Sequence, residues 1–237
     1  MKNQALYKRI FGGITFFALL IFIVAYSIGF ETIAQQKSEL LYLGKQHLYL
    51  VSVSMSFALV VGVTSGILLS RPCAKRWAES VIQIFNVSNT LPPLAVLALA
   101  MIIFGIGDTP AIIALFLASI LPIVRSTYAG LRAVPSSLIE AANAIGMTPW
   151  DKLWRVEFPN AIPVIFSGIR IAAVINVGTA PLAFLIGASG YGELIFPGIY
   201  LDKFTILILG ASATAITALA LDYLLSIISR LLTPHLN

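Results

Sequence analysis

The sequence predicts an all-α polytopic membrane protein with about six transmembrane helices. Of its 237 residues, 59% are hydrophobic and only 11% are charged, and the mean hydropathy is +0.95. The apolar residues are gathered in windows that meet or approach the roughly 20 residues a helix needs to cross a bilayer. A soluble domain of this composition would aggregate through its apolar surface. The predicted fold class is therefore a helix bundle in a lipid bilayer.

Six hydrophobic windows define the predicted spans. They lie near residues 11–30, 48–70, 81–104, 110–130, 163–187 and 204–229. The first is too long for a cleaved signal sequence, so we interpret it as a membrane anchor. The chain then divides into an N-terminal segment with an external loop, a membrane core, a polar loop within that core, and a tail. These four parts are residues 1–47, 48–230, 131–162 and 231–237.

Basic residues set the orientation, because short cytoplasmic loops retain Lys and Arg. The chain has 15 basic residues, and with both termini in the cytoplasm only Lys37, Lys45 and Lys203 fall outside. The polar loop at 131–162 then faces the cytoplasm. Because the net charge of +5 follows from this topology, we expect no nucleic-acid surface.

The cytoplasmic loop begins with a short predicted helix. Ser137 and Glu140 have the spacing of a capping box, which predicts that the helix starts at Leu138. Apolar residues recur at helical spacing at Leu138, Ala141, Ala142 and Ile145. Gly146 follows and can adopt the left-handed conformation that ends many helices.

A second helix is predicted directly after this corner. Thr148 is a suitable N-cap, and Pro149 occupies the first helical position, which tolerates proline. An apolar stripe precedes Pro159 and consists of Trp150, Leu153 and Trp154. The loop is thus predicted to be a helix, a tight corner and another helix.

Polar side chains cluster in the third span, where each must find a partner or face water. The cluster comprises Gln83, Asn86, Ser88, Asn89 and Thr90. Pro92 and Pro93 follow it and predict a distorted helix. Because intramembrane polar clusters tend to be functional, we interpret Asn86, Asn89 and Thr90 as candidate walls of a translocation pathway. The alternative is interhelical hydrogen bonding that only holds the bundle together.

The fifth span carries a second polar patch with Asn176 and Thr179. This patch could face the third span across a cavity, which makes both residues further pathway candidates. The alternative is a tight packing face, since Gly168 and Ala172 have small-x-x-x-small spacing. In the second span, the small and hydroxyl residues at 62–66 predict helix packing rather than transport.

Three charged residues lie near the predicted cytoplasmic ends of spans: Arg125, Arg170 and Asp222. Long basic side chains can extend to the headgroups from such positions. The aspartate is too short to do so, and we therefore predict that Asp222 pairs with one of the two arginines.

Signs of enzyme chemistry are few. Cys73 has no partner cysteine, and His47 and His235 are solitary, so no metal site can be assembled from them. The sequence has no Gly-x-x-x-x-Gly-Lys-Ser/Thr phosphate-binding motif. We expect a chain that binds no cofactor and does not itself hydrolyse ATP.

The polar loop resembles the EAA loop of the permeases of binding-protein-dependent ABC importers. The matching positions are Glu140, Ala141, Ala142, Gly146, Val156, Phe158 and Pro159. Valine and phenylalanine stand where isoleucine and leucine are common, which are mild substitutions. Residues 91–123, 175–180 and 185–188 are also similar to the permeases of osmoprotectant importers, which carry glycine betaine, choline, carnitine and related quaternary amines. The resemblance covers residues 50–230.

This resemblance implies a type I ABC-importer permease fold and a transport subunit. The chain would form half of a pathway in a bacterial-type inner membrane, with a second copy or a related permease as the other half. ABC ATPase subunits would bind and hydrolyse ATP, and an extracytoplasmic binding protein would select the solute. The implied ATPase-coupling residues are Glu140, Ala141, Ala142, Ile145, Gly146 and Pro159. For Glu140, the alternative is a capping role alone.

The sequence is compatible with two other functions. A stand-alone channel or secondary transporter could share the polar spans, but it would not need the capped loop, and no inverted repeat is visible. The permease of another ABC importer, for an amino acid or another small solute, would carry the same EAA loop. The loop does not separate these substrate classes.

Overall fold

The computed structural model describes residues 2–74 and 76–232, with the side chains of residues 2–11, 14 and 87–89 left out of the description. Lys75, His235 and most of the predicted tail thus lie outside the described residues. Within these ranges the chain is helical and contains no strand, as the sequence predicts.

Ten α-helices form the described part of the chain. They are α1 (Lys2–Ile28), α2 (Phe30–Ser70), α3 (Ala78–Thr90), α4 (Pro93–Phe104), α5 (Asp108–Arg132), α6 (Ser136–Ala144), α7 (Pro149–Lys152), α8 (Phe158–Thr179), α9 (Gly192–Tyr200) and α10 (Phe204–Leu232). A π-helical turn, Leu153–Glu157, joins α7 to α8, and a 3₁₀ segment, Ala180–Ile186, extends α8.

Four helical stretches are long and apolar enough to cross a membrane by length and composition. They are Phe30–Ser70, Asp108–Arg132, Pro149–Ile186 and Phe204–Leu232. Two shorter apolar helices, Thr15–Ile28 and Pro93–Phe104, fall in the predicted first and third spans. The described chain therefore agrees with about six membrane passages.

The predicted loop at 31–47 is instead helical. Helix α2 has 41 residues and begins directly after Gly29, whose φ of 92° separates it from α1. The interval is polar but contains no proline, and Glu31 lies in the first turn, where a carboxylate stabilises a helix. The polar residues therefore mark where the apolar window begins, but the helix itself begins before them.

The third span is broken rather than bent. Helix α3 ends at Thr90, Leu91 is extended with ψ of 135°, and α4 begins at Pro93. Two consecutive prolines lack the amide hydrogens that a continuous helix would need, which explains the complete break. With 13 and 12 residues, α3 and α4 are each shorter than the roughly 20 residues that cross a bilayer.

Helix α5 lies at the centre of the bundle, between α2 and α8. Its contact with α2 depends on two glycines: a Cβ atom at Gly62 would lie 2.7 Å from Ile123, and one at Gly66 would lie 2.5 Å from Thr127. Close approach of helix backbones is the main source of association inside a membrane. The packing interpretation of residues 62–66 is confirmed.

Candidate functional site

The first helix of the cytoplasmic loop starts earlier than predicted. Helix α6 begins at Ser136, and its N-cap is Pro135, whose carbonyl accepts from the amides of Leu138 at 3.1 Å and Ile139 at 3.4 Å. Ser137 lies inside the helix, so the predicted capping box is wrong. No side-chain cap hydrogen bond occurs at this N-terminus, which leaves the Glu140 carboxylate without the capping role.

The predicted end of this helix is confirmed. Gly146 has a φ of 75°, in the left-handed region. Its amide donates to Asn143 O, and the amide of Met147 donates to Ala142 O, both at 3.0 Å. These two bonds form a Schellman motif, which satisfies carbonyls that the helix end would leave unpaired.

The N-cap of the second helix is also confirmed. The Thr148 hydroxyl accepts from the Asp151 amide at 3.1 Å, and Pro149 is the first residue of α7. This helix does not stop at Pro159. The π-helical turn carries it directly into α8, with the Phe158 amide donating to Leu153 O. One wider turn shifts the hydrogen-bond register just before a proline that has no amide to donate.

Polar contacts fix parts of the loop to each other and to the membrane helices. Within the loop, Lys152 Nζ donates to Asn143 Oδ1 at 2.9 Å and so joins α7 to α6. The π-helical turn places Glu157, 7% exposed, in an ion pair with Arg71 at the end of α2. Arg71 also donates to Ser70 Oγ at 2.8 Å. Sequence reasoning missed this pair, because its partners are 86 positions apart and neither belongs to a recognisable motif.

Most side chains of α6 point outward. Ala142 is 3% exposed and turns inward, whereas Ile145 is 73% exposed. Glu140 and Ala141 are also exposed, and Leu138 is 40% exposed. We call the exposed residues Leu138, Glu140, Ala141 and Ile145 together the outer face of α6; Glu140 lies on the opposite side of the helix from Leu138 and borders a cavity with Arg71 and Lys152. The outer face combines a carboxylate with exposed apolar groups on a helix whose C-terminus is fixed by backbone bonds.

The predicted pathway residue Asn176 is fully buried. Its side-chain amide donates to Ser119 Oγ at 2.7 Å, to Ser54 Oγ at 2.9 Å and to Leu115 O at 3.3 Å. These partners belong to α2 and α5, so the amide joins three helices. Asn176 is therefore enclosed among α2, α5 and α8 in the described chain, and its contacts favour the packing alternative.

The amides of the third span that the structure describes bond within their own helix. Asn86 is partly exposed and donates to Gln83 Oε1 of its own helix at 3.2 Å. Thr90 is exposed at the end of α3, beside the break. The side chain of Asn89 lies outside the described residues.

A cavity between the fifth and third spans does exist, and Thr179 lines it. Its volume is about 300 Å³, and its walls come from α4, α5 and α8. The lining residues are Leu91, Pro93, Val96, Leu97, Ala114, Leu115, Ala118, Ile175 and Thr179. The walls are therefore mainly apolar, and they come from the helix after the break rather than from the polar α3.

The predicted pairing of Asp222 is confirmed, with Arg170 as its partner. Arg170 Nε donates to Asp222 Oδ1 at 2.7 Å, and Nη2 donates to Oδ2 at 2.8 Å. This bidentate pair joins α8 to α10 and lines a second cavity of about 430 Å³. Bidentate arginine–carboxylate pairs are among the stronger and more directional ion pairs in proteins.

Comparison with known proteins identifies what this arrangement resembles. Residues 58–237 match the family described as "Binding-protein-dependent transport system inner membrane component". The chain is 68% identical over 228 residues to the osmoprotectant import permease protein OsmY of Salmonella typhimurium, covering 96% of this chain and 97% of the relative. It is 41% identical over 196 residues to the glycine betaine/carnitine/choline transport system permease protein OpuCB of Bacillus subtilis, covering 83% and 89%.

Solved structures agree with this match. The fold is similar to an inward-facing structure of the MetNI methionine ABC transporter, with a TM-score of 0.72 and 26% identity. The similarity covers 82% of this chain and 96% of the chain in that structure.

Proposed function

The chain belongs to the family of binding-protein-dependent transport system inner membrane components, and we propose that it is the permease subunit of an ATP-driven importer of quaternary-amine osmoprotectants. The substrate class is supported by the relatives that import osmoprotectants, glycine betaine, carnitine and choline. Family membership makes this chain a transport subunit. In this proposal ATP is bound and hydrolysed by separate ABC ATPase subunits, and an extracytoplasmic binding protein delivers the solute.

The outer face of α6 is the observation that carries the coupling proposal. Glu140 offers a carboxylate to basic or amide groups of the ATPase, and Ala141 and Ile145 offer exposed apolar surface. The other coupling candidates hold the loop in its conformation. Ala142 is the buried residue of α6, Gly146 ends that helix, and Pro159 follows the π-helical turn. The exposed apolar groups of this loop support the coupling proposal, because exposed apolar patches mark interaction surfaces.

A direct mechanical connection supports alternating access. The residues from Pro149 to Ile186 form one helical stretch, so a displacement of the loop is passed along α8. The Arg71–Glu157 pair passes the same displacement to the end of α2. An element can shift a conformational equilibrium only when its partner binds the two states differently. ATP-driven closure of the ATPases supplies that difference, and hydrolysis restores the inward-facing state.

The transport pathway is proposed to run past Thr179 and the broken third span. Thr179 lines the cavity that α4 and α5 complete, beside Leu91 and Pro93. Asn86, Asn89 and Thr90 are further candidates on α3, while Asn176 contributes by holding α8 in place. A second copy or a related permease completes the pathway, with both termini in the cytoplasm and most basic residues on that side.

A second substrate class, amino acids, has one observation in its favour. The fold match to a methionine transporter means that the same scaffold can serve a different solute. The substrate test therefore includes methionine beside glycine betaine and choline.

The test uses the complete importer, with its ATPase and binding protein, in proteoliposomes. We expect ATP-dependent uptake of glycine betaine or choline, and Glu140→Ala should lower uptake at least tenfold while the complex still assembles and hydrolyses ATP. Glu39→Ala, another exposed glutamate, is the matched control and should leave uptake unchanged. Uptake of methionine alone would contradict the substrate class, and normal uptake by Glu140→Ala would contradict the coupling role.

A further inference from the structure

The Arg170–Asp222 pair lies in an unusual place for two charges. It joins two apolar helices that are each long enough to cross a membrane, yet it is not enclosed between them. The side chains of Arg170 and Asp222 remain 37% and 31% exposed. Ionised groups in membrane spans avoid lipid and face the bundle interior or a water-filled cavity. The surface that carries this pair therefore faces water or protein.

The two sides of α8 differ in exposure. One side is buried against α2 and α5 and includes Ala172, Ala173, Asn176 and Val177. The other side forms an open stripe at helical spacing, consisting of Ser167, Arg170, Ile171, Val174, Ile175 and Thr179. Arg170 and Thr179, nine positions apart, lie on opposite edges of this stripe, with Ile175 between them.

Two cavities follow this stripe and share a wall. The 430 Å³ cavity is lined by the charged pair with Ser167, Ile171, Val174 and Ile175. Ile175 also lines the 300 Å³ cavity that contains Thr179. Arg170 and Thr179 are nine positions apart, which is about 13 Å along a helix. Ile175 therefore borders both the proposed pathway and the cavity of the ion pair.

We propose that Arg170 and Asp222 form a binding site for the zwitterionic substrate on its way along α8, an inference that rests on the proposed function. A betaine carries a carboxylate and a quaternary ammonium. The Arg170 guanidinium binds the carboxylate, with the two parallel donors it now directs at Asp222, and the Asp222 carboxylate faces the ammonium. The charges of Arg170 and Asp222 are compensated by each other when the site is empty and by the substrate when it is filled.

This exchange suits a transport pathway. Removing one partner of an ion pair within the membrane leaves the other charge uncompensated, which is costly. Substrate entry here replaces one compensated arrangement with another, so the site binds weakly enough to release its substrate, as conduction requires. A choline molecule lacks the carboxylate and uses only Asp222. The two residues therefore set the preference between zwitterionic and purely cationic amines.

The competing explanation is a structural clamp between α8 and α10, and the substrate preference separates the two. In proteoliposomes with the complete importer, Arg170→Gln should lower glycine betaine uptake about tenfold or more relative to choline uptake. Asp222→Asn should lower the uptake of both. Arg125→Gln, an exposed arginine on α5, is the matched control and should leave the ratio of the two rates unchanged.

The outcomes of this experiment decide between the binding site and the structural clamp. If Arg170→Gln leaves the ratio of the two uptake rates unchanged, whether or not both rates fall, the binding site is overturned and the pair is a structural clamp. If Arg170→Gln does not assemble, Arg170→Lys replaces it, since a lysine keeps the charge without the bidentate geometry and should lower the ratio in the same direction. If the wild-type importer moves neither amine, the proposed function itself fails, and the binding site falls with it.

Discussion

The bundle interior and the cytoplasmic loop use the same kinds of residue for opposite purposes. In the bundle, Gly66 and Asn176 are buried and bring helices together. In the loop, Gly146 and Thr148 are exposed and fix the ends of short helices, so that the outer face of α6 stays free. Rigidity comes from interhelical contacts in one region and from backbone caps in the other. Substitutions should therefore separate assembly from coupling.

The largest expected effect is on the close contact between α2 and α5. Gly66→Leu would force a side chain into Thr127, where a Cβ atom alone would lie 2.5 Å away. We expect the protein not to accumulate in the membrane, since overpacking of a tight interface costs about 1–3 kcal/mol or more. Membrane-fraction immunoblotting measures this.

Gly12→Leu is the control for this change. Gly12 lies in α1, and a Cβ atom there would meet nothing within 4 Å. Normal accumulation of Gly66→Leu would show that α2 and α5 do not need their close approach.

The next effect concerns the buried amide. Asn176→Leu removes the only group that joins Ser54 and Ser119 across three helices in the described chain. Interhelical hydrogen bonds in membranes are worth about 1–2 kcal/mol at most, so we expect a thermal transition several degrees lower in purified protein. Asn86→Leu, whose amide contacts only its own helix in the described chain, should change the transition less. Equal shifts for the two variants would remove the structural role of Asn176.

The smallest effect is expected in the loop. Thr148→Ala removes the hydroxyl that accepts from the Asp151 amide, at a cost of about 1 kcal/mol to the local helix. We expect a thermal transition close to that of the wild type but fewer solute molecules imported per ATP hydrolysed. Thr64→Ala, an exposed threonine of α2, should leave that ratio unchanged. A lower transition with a normal ratio would contradict the division between assembly and coupling.

Local features of the loop could be predicted because they depend on near neighbours. Gly146 and Thr148 form their hydrogen bonds with residues three or four positions away, so spacing alone is informative. The predicted start of α6 is wrong because Pro135 offers its carbonyl two positions before Ser137 offers its hydroxyl. Two start signals two positions apart compete, and the sequence does not rank them.

Long-range features were predictable only where the membrane limits the choices. A lone aspartate in an apolar span requires a cation, which made Arg170 one of two candidates for Asp222. Asn176 had no such restriction, because an amide can bond within the bundle or face a cavity. The Arg71–Glu157 pair gave no signal, since both residues lie near the polar loop ends, where charges are common.

Site-directed cross-linking tests the proposed contact between the outer face of α6 and an ATPase subunit. After Cys73→Ser removes the exposed native cysteine, Ala141→Cys is cross-linked in the active, membrane-embedded importer. We expect a covalent product with the ATPase, whose yield changes on addition of ATP, and none from Ser38→Cys on α2. An importer that transports normally but gives no ATPase product from Ala141→Cys would contradict this contact.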